Sequence, residues 1–258
     1  MSNNYVLGRG KVFFDPYTPG TKNTTGERYL GNTPEFGLTI ESEKLDHFNS
    51  DEGVRVKDES VLLELNRTGS FTCDNIDPEN IALFFLGDVD TVTDAGVSNG
   101  TFTITGAVGG RWYQIGVSNN NPTGVRKVSI DSVVDDATPT PNSLSATTDY
   151  VLDADLGRIY IVPNGRADGK NITITYDTTA NTRTQIVTAA NAEVEGALRF
   201  IAYNAQGDQL DYYMPYVRLT PSGDFALKGD EWQVLSFDVE ILKKDDNEAI
   251  YIDGRAVV

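Results

Sequence analysis

A mainly β fold is what this sequence predicts: a β-sandwich or partial barrel with one flanking α-helix and a long hairpin loop, interrupted by a small inserted β-sandwich. Three observations carry the prediction. First, apolar and polar residues alternate with a period of two. Phe36, Leu38 and Ile40 are set against Gly37, Thr39 and Glu41, and Leu63, Leu65, Phe71 and Cys73 against Glu64, Asn66, Thr68, Ser70 and Thr72. A strand pair with one wholly polar side buries one face of a sheet and wets the other. Second, Asp77-Pro78-Glu79 reads as an N-cap acid, a proline at the first helical position and an acid in the first turn, ahead of the apolar run Ile81 to Leu86. Third, charge is unevenly distributed. Residues 90–190 hold 10 acids against 7 bases, whereas the remainder holds 28 against 14. That partition predicts a discontinuous domain, 1–89 with 191–258, and an inserted module, 90–190.

Taken in order, the chain opens with a strand over Tyr5 to Phe14. Asp15 to Gly37 follows as a loop, since it holds three prolines and four glycines. The hairpin then rises from Phe36, and Ser42 to Ser60 reads as its charged tip. A loop longer than about 12 residues calls for either a function or disorder, and the apolar residues within this one favour a function. Leu45, Phe48, Val54 and Val56 within it are anchors for folding against another subunit. The helix is expected to cover the hairpin's apolar face. In the insert, strands are predicted over Gly100 to Thr105, Arg111 to Val117, Arg126 to Val134, Arg158 to Val162, Asn171 to Tyr176 and Arg183 to Val187. They are separated by turn-rich segments, as in a small sandwich. The first pattern resumes with strands over Gly196 to Asn204, Leu210 to Thr220 and Glu231 to Leu242, and a short one over Ala249 to Ile252. In the third of these, Leu235, Phe237, Val239 and Ile241 face one way and Ser236, Asp238 and Glu240 the other.

Composition bounds the function. The net charge is −17, which opposes binding to phosphate backbones, because affinity for nucleic acid is carried largely by cationic side chains. Cys73 is the one cysteine; it sits on the apolar parity of its strand and reads as a small buried hydrophobe. No apolar run approaches the ~20 residues of a membrane-spanning helix, and MSNNYVLGRG lacks the charged start and apolar core of a secretion signal. A soluble, cytoplasmically made protein is the expectation. Catalytic constellations are missing from the reading. His47, the one histidine, lies in the hairpin tip beside Asp46 without the context of a nucleophile triad. Asp153 to Gly157 resembles only the start of a calcium loop and reads as a turn. Tyr212, Tyr213, Tyr216 and Trp232 are a candidate carbohydrate platform, although alternating strand aromatics usually form core or interface. A carbohydrate-binding surface or fibre-like β-protein is therefore the alternative function. No enzyme activity, cofactor or metal is expected.

What remains is architectural: two amphipathic strand units with polar second faces, and strand edges that invite pairing with another chain. Edges joined around a ring close a wall with two surfaces, the inner one polar, and head-to-tail contacts that close make rings. The phrases YVLGRGKVFF, GERYLGNTPEFGLTIESEKLDHFNSDEGVRVKDE, DPENIALFFLGD, RWYQIGVSNNNPTGVRKVS, LGRIYIV, EGALRFIAYNAQGDQLDYYMPYVRLTPSGDFALKGDEWQ and YIDGR carry a resemblance over nearly the whole chain. The chain resembles the major tail tube proteins of long, non-contractile bacteriophage tails of the Mu-like siphophage type. The resemblance implies a virion tail protein, assembled in the host cytoplasm, that self-assembles into hexameric rings stacked as a hollow tube. It implies a lumen lined by Thr39, Glu41, Glu64, Asn66, Thr68, Ser70, Ser236, Asp238 and Glu240. It assigns inter-ring contact to the tip, through Leu45, Asp46, Phe48, Asp51, Val54, Arg55, Val56 and Asp58. The implied partners are other copies of the chain, a tape-measure protein in the lumen, and terminator and distal tail or baseplate proteins at the ends. DNA passes through without specific binding, and no membrane is involved. The insert would decorate the exterior; its central position departs from relatives that carry such a module at the C-terminus.

Overall fold

The computed structural model describes residues 5–51, 53–188 and 193–255. The elements run β1 (Gly10–Pro16), β2 (Arg28–Tyr29), β3 (Glu35–Asn49), β4 (Val56–Cys73), α1 (Pro78–Phe84), β5 (Gly87–Asp94), β6 (Val97–Ile104), β7 (Trp112–Gln114) and β8 (Val128–Asp135). They continue as β9 (Tyr150–Asp153), β10 (Arg158–Ile161), β11 (Ile172–Thr178), β12 (Asn181–Thr188), β13 (Val194–Ala202), β14 (Leu210–Ser222), β15 (Leu235–Ile241) and β16 (Tyr251–Gly254). The protein is mainly β, with antiparallel sheets and no closed barrel among the described residues. Two compact units result, Met1–Asp90 with Ile186–Val258, and Thr91–Gln185. Strands β5 and β12 pair with each other where the chain leaves the first unit and returns.

The first unit is one sheet in the order β2-β1-β13-β14-β15-β4-β3, with β16 added to β14. It rolls onto its apolar face: the Phe36 ring of β3 lies 5.9 Å from the Phe200 ring of β13, although three strands separate them in the order. Within the roll, Phe14, Phe71, Leu198, Met214, Leu219, Leu235 and Phe237 are buried. Helix α1 has the expected start. The Asp77 side chain accepts from the Asn80 N–H at 2.8 Å, and Pro78 fills the first position. A seven-residue helix cannot stand without tertiary packing, and Ala82 and Phe84 supply it. The helix packs on β15 and β14, not across the hairpin as the apolar run suggested. It meets the hairpin only at its base, where the Asn80 amide lies 3.4 Å from the Cys73 sulfur, and through Phe84 against Phe237, which stacks on Phe71. Buried Asn80 locks the surrounding loops: its amide donates to the Leu30 and Asn75 carbonyls, each at 2.8 Å, and its oxygen accepts from Arg28. Cys73 is buried, with its thiol against the Leu30 carbonyl, and burial pushes that thiol upward.

Strands the sequence did not signal are β2, too short for any period, β5, and β9. Residues 5–9 are not a strand; only Leu7 makes an isolated bridge, to Gln206.

The second unit packs two three-stranded sheets, β7-β10-β9 and β6-β11-β8, around Ile115, Ile159, Ile161, Ile172 and Ile174. Strand β11 alternates buried and half-buried residues along its whole length, which is why its period was legible. Aspartates tie down the loops. Asp149, 1% exposed, accepts from the Ser145 and Arg166 main-chain N–H groups and from the Arg166 guanidinium. Burial alone would raise its carboxyl, but those bonds overcome it and hold the group below the usual range. Asn142 does the same for Asp135, Arg158 for Asp153, and the Gly109 and Asn164 N–H groups for Asp168. A carboxylate depressed in the folded state contributes stability that is complete above its unfolded value, about 3.9, and is lost as pH falls through the folded value. The second unit is therefore expected to lose stability progressively on acidification below about pH 4, read as a falling denaturation midpoint by Trp112 fluorescence in a Trp232→Phe background. Asp149→Ala should cost about 2–3 kcal/mol at neutral pH, because it leaves the Ser145 and Arg166 main-chain N–H groups without their acceptor, and should flatten that acid limb.

Candidate functional site

The polar residues singled out in the hairpin and in β15 fall on one face of one sheet. Residues directly opposed in an antiparallel pair point to the same side. Gly37 opposes Ser70, and Ser70 opposes Asp238; Thr39 opposes Thr68, and Thr68 opposes Glu240; Ser236 opposes Thr72. Glu41 with Asn66, and Glu43 with Glu64, extend the same face along the hairpin. The structure thus brings Thr39, Glu41, Glu64, Asn66, Thr68, Ser70, Ser236, Asp238 and Glu240 together as a continuous hydroxyl, amide and carboxylate surface. All are exposed except half-buried Ser236. Thr72, Thr220, Ser222 and Arg218 belong to it as well, through pairing with Ser236, Asp238, Ser236 and Glu240. The signal for the last three was present in β14, where Arg218, Thr220 and Ser222 alternate with Val217, Leu219 and Pro221. Arg218 gathers Glu193 at 2.8 Å, Glu195 at 3.1 Å and Glu240 at 3.3 Å. The Tyr216 hydroxyl also donates to Glu195, and together with Arg218 it keeps that carboxyl low.

The hairpin tip differs from expectation. Ser42 to Ser60 is not a loop: β3 continues to Asn49 and β4 begins at Val56. The physical reason lies in cross-strand bonding that propensity does not reveal. Asp46 accepts from Lys57 at 2.6 Å and from Ser60 at 2.7 Å, His47 bonds Asp58 at 2.6 Å, and the Arg55 guanidinium lies over the Phe48 ring. These contacts hold Asp46 below the usual carboxylate range, first through Lys57 and then through Ser60.

Beyond its base the hairpin stands clear. Strand β15 pairs with β4 only from Thr68 to Cys73, so the rest is a two-stranded ribbon. Ile40, Leu45, Phe48, Val54, Val56, Val61, Leu62, Leu63 and Leu65 on it are between 39% and 76% exposed. The expectation that its apolar face is buried fails there, because neither the helix nor a further strand reaches it. Two bulges, each adding a residue to β4, shape the ribbon. Leu63 is passed over between the pairs Glu43–Glu64 and Lys44–Leu62, and Asp58 between His47–Glu59 and Phe48–Lys57. Each bulge inverts the parity of β4. Leu45 and Val61 therefore sit on the polar side, and Lys44 and Lys57 on the side of Ile40 and Leu65. Asp46 and Phe48 share this second side, and Val56 lies on the first. Asp51, Val54 and Arg55 form the turn, and Asp58 is a bulge residue.

An open trough of about 1210 Å³ lies against this surface, lined by Arg9, Phe36, Ser70, Phe200, Ser236 and Asp238 among others. His47 is remote from it, on the ribbon. Among the described residues no group of three or more His, Cys, Asp or Glu side chains is placed to hold a metal. No helix is long and apolar enough to cross a membrane. The tyrosines do not form an open platform. Tyr216 is buried against Tyr17, Tyr212 packs on the main core, and Trp232 stands alone on the β14–β15 loop, 94% exposed. Asp153 accepts from Leu156 N–H and Arg158, as in a structural turn.

Fold and surface together define a two-unit β-protein with a projecting ribbon and a polar sheet face. Over residues 5–250 the chain matches the family described as protein of unknown function UCP028589, and it belongs to that family. No curated protein matches it.

Proposed function

We propose that this chain is the repeating subunit of a hollow bacteriophage tail tube, in which copies close into hexameric rings and rings stack. The single observation that carries the reading is the ribbon. A two-stranded hairpin is marginal in water by itself, and this one exposes nine large apolar side chains while holding strand geometry to its tip. A second support is the sheet with two chemically distinct faces, one apolar and buried, the other polar and acidic. The polar face is the lumen wall, the distal ribbon reaches the adjacent ring, and the second unit decorates the exterior. A tape-measure protein occupies the lumen before DNA, and terminator and distal tail proteins close the ends. The wall works by repulsion: carboxylates at Glu41, Glu64, Asp238 and Glu240 keep phosphates from adhering. The role is structural, without catalysis, and its place is the virion.

Electron microscopy of the concentrated purified protein tests the reading and should show rings or hollow tubes. The wall makes a separate prediction. Tubes of the Glu41→Lys, Glu64→Lys, Asp238→Lys variant should assemble but retard duplex DNA on a gel, whereas unaltered tubes should not. Equal mobility with both would remove the repulsion mechanism.

A further inference from the structure

The two sides of the ribbon differ in charge as well as in polarity. The side that holds Thr39 and Glu41 also carries Glu35, Glu43, Glu59 and Glu64, all acids. The opposite side carries Leu38, Ile40, Leu62, Leu65 and Phe48 with Lys44, Lys57 and Arg67, against Asp46 alone. It is a net cationic, apolar strip on a chain of net charge −17. Lys57 is engaged with Asp46, but neither Lys44 nor Arg67 makes an ion pair or hydrogen bond among the described residues.

A surface of the opposite character exists on the same chain. The loop between β14 and β15, residues 223–234, exposes Leu227 at 80% and Trp232 at 94%. It also carries Asp224, Asp230 and Glu231 against one base, Lys228. None of those three acids has a cationic partner among the described residues. An isolated surface tryptophan gains nothing from water, and Trp heads the residue types that anchor interfaces. Phe225, in the same loop, is packed on Phe84 and Phe85 and fixes the loop's root.

We infer that the β14–β15 loop of one copy docks on the cationic side of the ribbon of a second copy, with Trp232 and Leu227 against Ile40, Leu62 and Leu65. Asp224, Asp230 and Glu231 then face Lys44 and Arg67. The contact is heterologous, since loop and strip are different surfaces, so it propagates from copy to copy and can close a ring. It leaves the acidic side of the ribbon uncovered, which the lumen assignment requires. The inference rests on the tube reading for its closure, and on the complementarity of loop and strip for its contacts.

Light scattering with size-exclusion chromatography, backed by electron microscopy, tests it on the full chain. Trp232→Ala should raise the concentration needed for assembly by about thirtyfold, the effect of losing an anchor residue. The monomer's melting temperature should not change, because the side chain touches little in its own copy. Lys44→Glu with Arg67→Glu should abolish assembly, as should Asp230→Lys with Glu231→Lys, and the four changes together should restore it. Assembly of Trp232→Ala and of both charge pairs at the unaltered protein's concentration would overturn the docking while leaving the tube reading intact. An unaltered protein that forms open chains through these residues, and never rings, would keep the docking and overturn the tube. A protein monomeric at every concentration would overturn both.

Discussion

Replacing residues 41–66 by a two-residue Asn-Gly turn is expected to give a folded monomer that forms neither rings nor tubes at any concentration. The cut falls after the Ile40–Arg67 pair, so every pairing of β4 with β15 is kept. Asn-Gly supplies the turn that a two-residue hairpin connection needs. Nothing removed contributes to the buried core, whose hairpin members are Phe71 and, in part, Phe36. Stability should change by less than about 1 kcal/mol, since an isolated ribbon adds little to its own protomer. Circular dichroism and thermal melting check the fold, and light scattering checks assembly. Tubes formed by the shortened chain would show that the ribbon is not the organising contact.

Phe237→Ala is expected to be the most damaging single substitution in the first unit. The Phe237 ring is 2% exposed, stacked 5.0 Å from Phe71 and edge-on to Phe84 at 5.9 Å, so it joins hairpin base, central strand and helix. Removing a buried phenyl ring costs about 3–5 kcal/mol, equivalent to a fall of roughly 10 °C at about 2–4 °C per kcal/mol. The second unit has its own core, so calorimetry should show one transition moving down while the other stays. A common fall in both would mean that the units do not unfold independently.

How much of this was legible in the sequence depends on where period and burial coincide. Strands β11 and β15 bury every other residue, and their alternation was plain. The polar face of β3, β4 and β15 was legible for the same reason, since Thr39, Thr68, Ser70, Asp238 and Glu240 keep strict parity up to the first bulge. The ribbon was not. Its order comes from Asp46 with Lys57 and His47 with Asp58, pairs whose partners are found only once the register is known. The bulges at Leu63 and Asp58 break the parity on which sequence reading depends: Leu63 shares the parity of Leu65 in the sequence but has no cross-strand partner. The helix's position is legible and its packing is not: capping is local to Asp77 and Asn80, whereas its neighbours β14 and β15 lie more than a hundred residues downstream.

That separation sets an order of events during synthesis. Strand β1 pairs with β13, as Gly10 with Ala202, and β4 pairs with β15, as Cys73 with Leu235. At about 5–20 residues per second, roughly 8–32 s pass between emergence of Cys73 and of its partner Leu235. The second unit can finish folding in that interval, while the nascent hairpin waits with its apolar residues uncovered. Its dense charge and paired bulges then serve another purpose. Charges and bulges of this kind disfavour edge-to-edge pairing of one unfinished hairpin with another.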